Sequence, residues 1–301
     1  MRVRTAQVVF LTAVLAPLSA EAGGTVGVLL GADMPYFRAV HATLTAELAK
    51  QSGVELVVQT PAGDRMAWVN AARRFEAVGA NVVVAYGATA AQIAVSESGD
   101  LPIVYVASHS SAFRLEGTKT TGVSWRIPIL TLLKRLKDVT PYAKLGVVMN
   151  PDEPDTVQQL HEVEALADEL GAQVVGIAVR QSGDAGKRMR AVEAVYLTTG
   201  CATTSCSNDV LGAAKAAKIS AAAPLLGMEE QGALLTMSPS PAEVGKAAAG
   251  MVARILAGEK PAVIPVVTPK RIEFIVNVAV AEGLGLKVPV DVLTGATRVI
   301  K

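Results

Sequence analysis

Beyond residue 22 the chain alternates short apolar runs rich in Val, Ile and Leu with longer stretches in which apolar positions recur every three or four residues. Short runs bounded by turn formers mark strands buried on both faces, and the longer periodic stretches mark amphipathic helices. Strands are predicted over residues 25–30, 54–59, 82–86, 103–107 and 121–125, with helices near 36–51, 65–78 and 89–96. The second half repeats the rhythm, with strands over 144–149, 173–179, 194–198, 222–226 and 233–237. Its helices are a long one over 153–170, a short one over 185–190 and a third over 207–218. A helix over 241–257 stops at Gly258, a residue that readily takes the left-handed conformation, and Pro261 forbids its resumption. An extended, Pro-punctuated connection then leads into a strand over 271–278.

Strands alternating with helices are the pattern of parallel sheets with crossover helices, so each half reads as a doubly wound α/β unit. The chain has 301 residues, 51% of them hydrophobic, which is more than one ordinary core prefers and enough for two. The fold class expected is therefore α/β, two parallel-sheet lobes.

Residues 1–22 form a separate unit. Arg2 and Arg4 precede an apolar run over 8–18 and an Ala20-Glu21-Ala22 site before Gly23, the layout of a cleaved secretory signal peptide. The run is too short for a membrane span, which needs about 20 apolar residues. No cysteine stands at the cleavage site to carry a lipid. A periplasmic protein with no membrane insertion after cleavage is expected. Without residues 1–22, acidic and basic side chains are equal in number. This balance offers no electrostatic case for nucleic acid or an anionic membrane as partner.

The segment Ile255-Leu-Ala-Gly-Glu-Lys-Pro261, followed by Ile264-Pro-Val-Val-Thr-Pro-Lys270 and Ile275-Val-Asn277, resembles the ABC-transporter substrate-binding proteins of the tryptophan/tyrosine-type group. Tyr86-Gly-Ala-Thr-Ala-Ala-Gln92, Leu101-Pro-Ile-Val104, Thr121-Gly-Val-Ser124 and Gly232-Ala-Leu234 are similar to further stretches of that family. The resemblance implies a type I periplasmic-binding-protein fold with a three-segment hinge near residues 124–128, 237–240 and 266–270. It places the N-terminal lobe at 23–124 plus about 240–267, and the C-terminal lobe at 125–239 plus about 268–301. It also implies a monomeric receptor that closes over a small organic solute and serves an ABC permease and its ATPase, without cofactor. The departures fall where the ligand is expected: Ser108-His-Ser-Ser-Ala112 replaces Thr-Asp-Pro, Thr198-Thr-Gly-Cys201 replaces Asp-Asn-Thr, and Met237-Ser-Pro-Ser240 replaces an aromatic residue. Fold and general role carry over, while these departures leave open whether the family's aromatic amino-acid ligand applies.

Open α/β sheets bind ligands at the carboxyl ends of their strands, and the candidates follow from that rule. Gly87 and Thr89 open a helix whose free N–H groups suit a carboxylate, although Thr89 could equally cap its own helix. Ser108, His109 and Ser110 occupy the next such loop, and Asn150, Thr198 and Thr199 the corresponding loops of the second half. For an ammonium, the acids at suitable positions are Asp33, Glu153, Asp209, Glu229 and Glu230, with Glu229 preferred. Tyr36 and Trp125 could stack on a planar ligand or simply pack, and Trp68 reads as core or lobe surface. The histidines share no zinc-ligand spacing, so no metal is expected, and His41 and His161 read as surface positions of helices. Cys201 and Cys206, separated by four residues in an exported chain, suggest a local disulfide rather than a redox or metal pair.

Catalysis is not required by any of these features. An exported hydrolase using His109 and a nearby Ser is the enzymatic alternative, but no G-x-S-x-G elbow is present. A sensor that uses the same cleft to signal a partner is another.

Overall fold

A computed structural model describes residues 23–31, 34–61, 65–108, 119–180, 183–201 and 204–301, with the side chains of 187 and 201–205 excepted. The first five strands, β1 (Gly24–Leu30), β2 (Val54–Gln59), β3 (Val82–Tyr86), β4 (Ile103–Ser108) and β5 (Thr120–Ser124), form one sheet in the order β2-β1-β3-β4-β5. All its pairs are parallel. Side chains alternate across a strand, and the central strand β3 is apolar and buried at every position, so both faces need cover. On one face Val26, Val28, Val82 and Val84 pack with Val40, Leu44 and Leu48 of α1 (Pro35–Leu48). On the other, Leu29, Val83, Ala85 and Ile103 pack with Phe75 of α2 (Arg65–Ala77) and Ile93 of α3 (Ala88–Glu97). Each such fully buried side chain contributes roughly 1.5–3 kcal/mol.

The chain then enters a second sheet through α4 (Ile129–Val139). The remaining elements in chain order begin with β6 (Lys144–Met149), α5 (Pro154–Glu164), α6 (Ala167–Leu170), β7 (Gln173–Ala178) and α7 (Ala185–Met189). They continue with β8 (Ala194–Leu197), α8 (Thr204–Ala217), β9 (Ser220–Ala223) and β10 (Leu235–Pro239). Helix α9 (Pro241–Leu256) returns to the first sheet and packs beside α1, and the chain ends with β11 (Ile272–Asn277), α10 (Val278–Gly283), α11 (Val290–Thr294) and β12 (Arg298–Ile300) in the second. That sheet has the order β12-β11-β10-β9-β8-β6-β7 and is parallel except where β11 runs antiparallel to β10, Leu235 opposite Val276.

The two α/β lobes with parallel sheets match the architecture expected from the sequence. Three local differences have physical causes. The helix expected over 153–170 is two helices: Leu166 N–H bonds Val163 C=O in a tightened turn, and α6 ends at Gly171 in the left-handed region. Pro154 takes the first helical position of α5, which leaves Glu153 outside the helix as its preceding residue. Helix α4 was not anticipated, although Ile129, Leu132, Leu133, Leu136 and Val139 form a clear apolar stripe that covers Leu145 and Val147.

Three passages of chain join the lobes, and they are bonded to one another. Ser124 N–H donates to Val267 C=O at 2.9 Å, Val267 N–H to Gly122 C=O at 3.1 Å, and Ser240 N–H to Arg271 C=O at 2.8 Å. The Glu243 carboxylate, in the first turn of α9, accepts from the N–H groups of Lys270 and Arg271 at 3.0 and 2.8 Å. Those bonds hold its pKa below the usual carboxylate value. Among the described residues no helix is long and apolar enough to cross a membrane.

Candidate functional site

The carboxyl ends of β1, β3 and β4 in the first sheet face those of β6, β7 and β8 in the second, and between them lies a cavity of about 580 Å³. That volume is ordinary for a small-molecule site. From the first lobe it is lined by Phe37 of α1, Arg65 and Trp68 of α2, Tyr86 of β3 and the opening turn of α3, Gly87 to Ala90. From the second it is lined by Asn150, Glu153, Arg180, Thr199, Gly200 and Leu225.

The opening of α3 is built for an acceptor. Gly87 has φ 82 and ψ 169, a conformation that is essentially glycine-only, and it lets the chain turn from β3 into the helix with no side-chain cap. The first intrahelical bond is Ala91 N–H to Gly87 C=O, so the preceding N–H groups have no helical acceptor. No acidic residue stands in that turn. The site therefore presents a positive helix end to whatever enters.

Opposite it, Glu153 supplies a carboxylate. Asn150 Nδ2 donates to its Oε1 at 3.0 Å, while Asn150 Oδ1 accepts from Asp152 N–H at 3.1 Å, which fixes the amide. Burial pushes the Glu153 carboxyl up to about 7; the Asn150 bond opposes this, and the charges of Asp155 and Asp152 add to it. Gly200 is required beside it, because a Cβ there would lie 2.2 Å from Thr156 Cγ2 and 2.7 Å from Glu153 Oε2. Thr199, in the same short turn, has its N–H bonded to Gln159 Oε1 at 3.2 Å. Behind Tyr86, its hydroxyl lies 3.3 Å from His41 Nδ1; burial lowers the His41 pKa, so this half-buried histidine differs from the surface position read from the sequence.

A buried bond joins the lobes next to the cavity. Ser108 Oγ donates to Asp155 Oδ2 at 3.1 Å, with both residues buried. The neighbouring cavity residue Ala107 has φ 56, at a register shift in the β4–β5 pairing that redirects Ser108. A second close approach joins Pro35 to Gly227, where a Cβ would meet the proline ring at 2.5 Å.

Of the residues singled out by sequence, Gly87, Thr89, Asn150, Glu153 and Thr199 line the cavity. Asp33, His109 and Ser110 lie outside the described residues, as does the side chain of Cys201, while Cys206 is disulfide-bonded. Trp125 and Tyr36 are fully buried away from the cavity lining. Trp125 sits at the first passage between lobes, its backbone N–H donating to Ser108 C=O at 2.7 Å. Tyr36 packs edge-on against Phe37, and burial together with the Glu273 charge raises its pKa. Thr198 Oγ1 is spent on Val148 C=O at 2.7 Å. Glu229, the preferred acid, is fully buried elsewhere in the second lobe: it accepts from Gly227 N–H at 2.7 Å and from Arg298 at 2.5 Å. Among the described residues the carboxylate that faces the cavity is Glu153. Trp68, read from the sequence as core or lobe surface, lines the cavity, and sequence reasoning passed over Phe37, Tyr86 and the arginines. Arg65 and Trp68 share the first turn of the helix that follows β2, the one local signal that places them at a strand's carboxyl end. Among the described residues no cluster of His, Cys, Asp and Glu is suited to a metal ion.

Two α/β lobes with parallel sheets, joined by three passages and enclosing a cavity at their strand ends, define a two-lobed binding protein of the type I periplasmic-binding-protein fold. A model of the ABC transporter substrate-binding protein family matches residues 39–300, and the chain belongs to that family. Solved structures agree in fold. An ABC domain of Streptococcus pneumoniae in complex with L-Trp is similar at 23% identity with a TM-score of 0.84, over 92% of this chain and 100% of that one. A conserved domain protein of Vibrio cholerae gives 25% identity and 0.84, over 92% and 99%. The ligand-free, open form of a Clostridium difficile substrate-binding protein with adhesive properties gives 22% and 0.67, over 92% and 99%. No curated protein matches the chain significantly.

Proposed function

We propose that this protein is the exported solute receptor of an ABC importer and that its solute is amino acid-like, with an ammonium against Glu153 and a carboxylate at the opening of α3. The observation that carries this reading is the pairing of opposites across the cavity. An uncapped helix N-terminus stands on one lobe and a largely buried carboxylate, without an ion pair among the described residues, on the other. A solute bearing both charges gains from each lobe only when the two are together, and such differential contact is what favours closure. A micromolar complex needs about −8 kcal/mol, within ordinary ligand efficiency for a solute of about 15 heavy atoms. The L-Trp held by the Streptococcus pneumoniae structure supports an amino-acid class without fixing the side chain. The secretory layout of residues 1–22 supports a periplasmic location, from which a permease and its ATPase would take the solute. Binding is the whole of the role, and no catalytic step is assigned.

Native mass spectrometry of protein purified without unfolding, followed by calorimetric titration with amino acids, tests the reading. A bound mass that matches an amino acid-like compound, and a titrable heat with that compound, are expected. Absence of both across the common amino acids and their close derivatives would remove the zwitterion assignment.

A further inference from the structure

Two positively charged side chains remain in the cavity after an amine and a carboxylate have been placed, and they come from different lobes. Arg65 is the first residue of α2 and exposed, and it makes no ion pair among the described residues. A cation there stands against the positive end of its own helix, whose first turn holds no acid. Arg180 follows β7 on the other lobe. Its Nε is 3.0 Å from Asp152 Oδ2, but the two side chains are 60% and 69% exposed, so the pair is a weak surface one. The guanidinium keeps donors for a ligand.

We infer that the solute carries a second acidic group, bound between Arg65 and Arg180 at the cavity wall, so that the substrate class is an acidic amino acid or a close analogue with net negative charge. This rests on the zwitterion reading above. Glu153 is the only carboxylate among the described residues lining the cavity, against two guanidiniums and one helix N-terminus. Its carboxyl is pushed up to about 7, so its charge is only partly expressed at neutral pH. A neutral zwitterion would balance Glu153 and α3 and leave Arg65 without a counter-charge among the described residues and Arg180 with only its exposed pair to Asp152. A second acid meets one arginine from each lobe, so it too is held best when the lobes are together. Guanidinium forks suit carboxylate or phosphate equally, which leaves the acid's identity to the test. Asp33 and Asp64 precede α1 and α2 in the sequence, lie outside the described residues and enter no part of this comparison.

Isosteric pairs isolate the extra charge: L-glutamate against L-glutamine, L-aspartate against L-asparagine, and phosphoserine against serine, each titrated calorimetrically at low and moderate salt. At least one acidic member is expected to bind about 100-fold more tightly than its neutral partner, with the ratio shrinking as salt rises. Arg65→Gln and Arg180→Gln should each narrow that ratio about tenfold. Equal affinities within every pair, or ratios untouched by both substitutions, overturn the inference and leave the receptor reading standing. Binding by no member of any pair, with no amino acid-like mass co-purifying, defeats the zwitterion reading and this inference with it.

Discussion

Replacing Glu153 with Gln keeps the size of the side chain and an oxygen for the Asn150 amide, but removes the titrating group from the cavity wall. In the folded chain burial moves this carboxyl from 4.5 to about 7. At 1.36 kcal/mol per pKa unit, that shift corresponds to roughly 3 kcal/mol. Between those values the native state holds a proton that the unfolded chain has released, so native stability falls as pH rises. The contribution is fully present below the ordinary carboxylate value and is lost as pH passes through 7. Glu153→Gln carries no such dependence. Its stability relative to the parent protein should therefore rise by about 3 kcal/mol from pH 4 to pH 8, with most of the change between 4.5 and 7. Urea unfolding of both proteins without solute, followed by circular dichroism across that range, measures the difference. A difference flat in pH, or one that falls as pH rises, would show that Glu153 is not held in a desolvated wall.

The remaining predictions concern the solute and the frame around it. If an ammonium pairs with Glu153, binding must ionise it, so affinity should fall about tenfold per pH unit below 7. Calorimetry in two buffers should then register about half a proton released at pH 7, and loss of this release in Glu153→Gln checks the residue. Glu229→Ala leaves Arg298 and the Gly227 N–H without their buried acceptor and should cost about 3 kcal/mol in urea unfolding; affinity should change far less. Ser108→Ala removes the buried bond to Asp155 across the lobes, worth about 1.5 kcal/mol, and should weaken solute binding about tenfold by disfavouring the closed state. Small-angle scattering of the solute-free protein should show a larger radius of gyration for Ser108→Ala, and an unchanged radius together with unchanged affinity would count against a role for that bond in closure.

The strands were legible because sheets covered on both faces leave few polar positions inside them. Val82–Tyr86 is apolar throughout and buried throughout, and its neighbours repeat the pattern. Breaks between helices were less legible, since the tightened turn at Leu166 leaves no Gly or Pro to announce it. On the first lobe only the opening of α3 could be read, because a helix opening after a parallel strand is a local feature, visible in Gly87 to Thr89 without knowledge of any distant residue. The acid on the second lobe could not. Glu153 and Glu229 both follow strands at their carboxyl ends, and within five residues of either nothing separates a ligand partner from a structural ion pair. What separates them is Arg298, 69 residues beyond Glu229 and carried to it by the pairing of β12 with β11. Among the described residues Glu153 makes no ion pair with an arginine or lysine, and its carboxylate is shielded by burial. A carboxylate's role in this fold is thus decided by where the last strand of the chain brings its arginine. Exchanging Arg298 for Gln should therefore free Glu229 and lower stability while leaving the pH dependence tied to Glu153 intact.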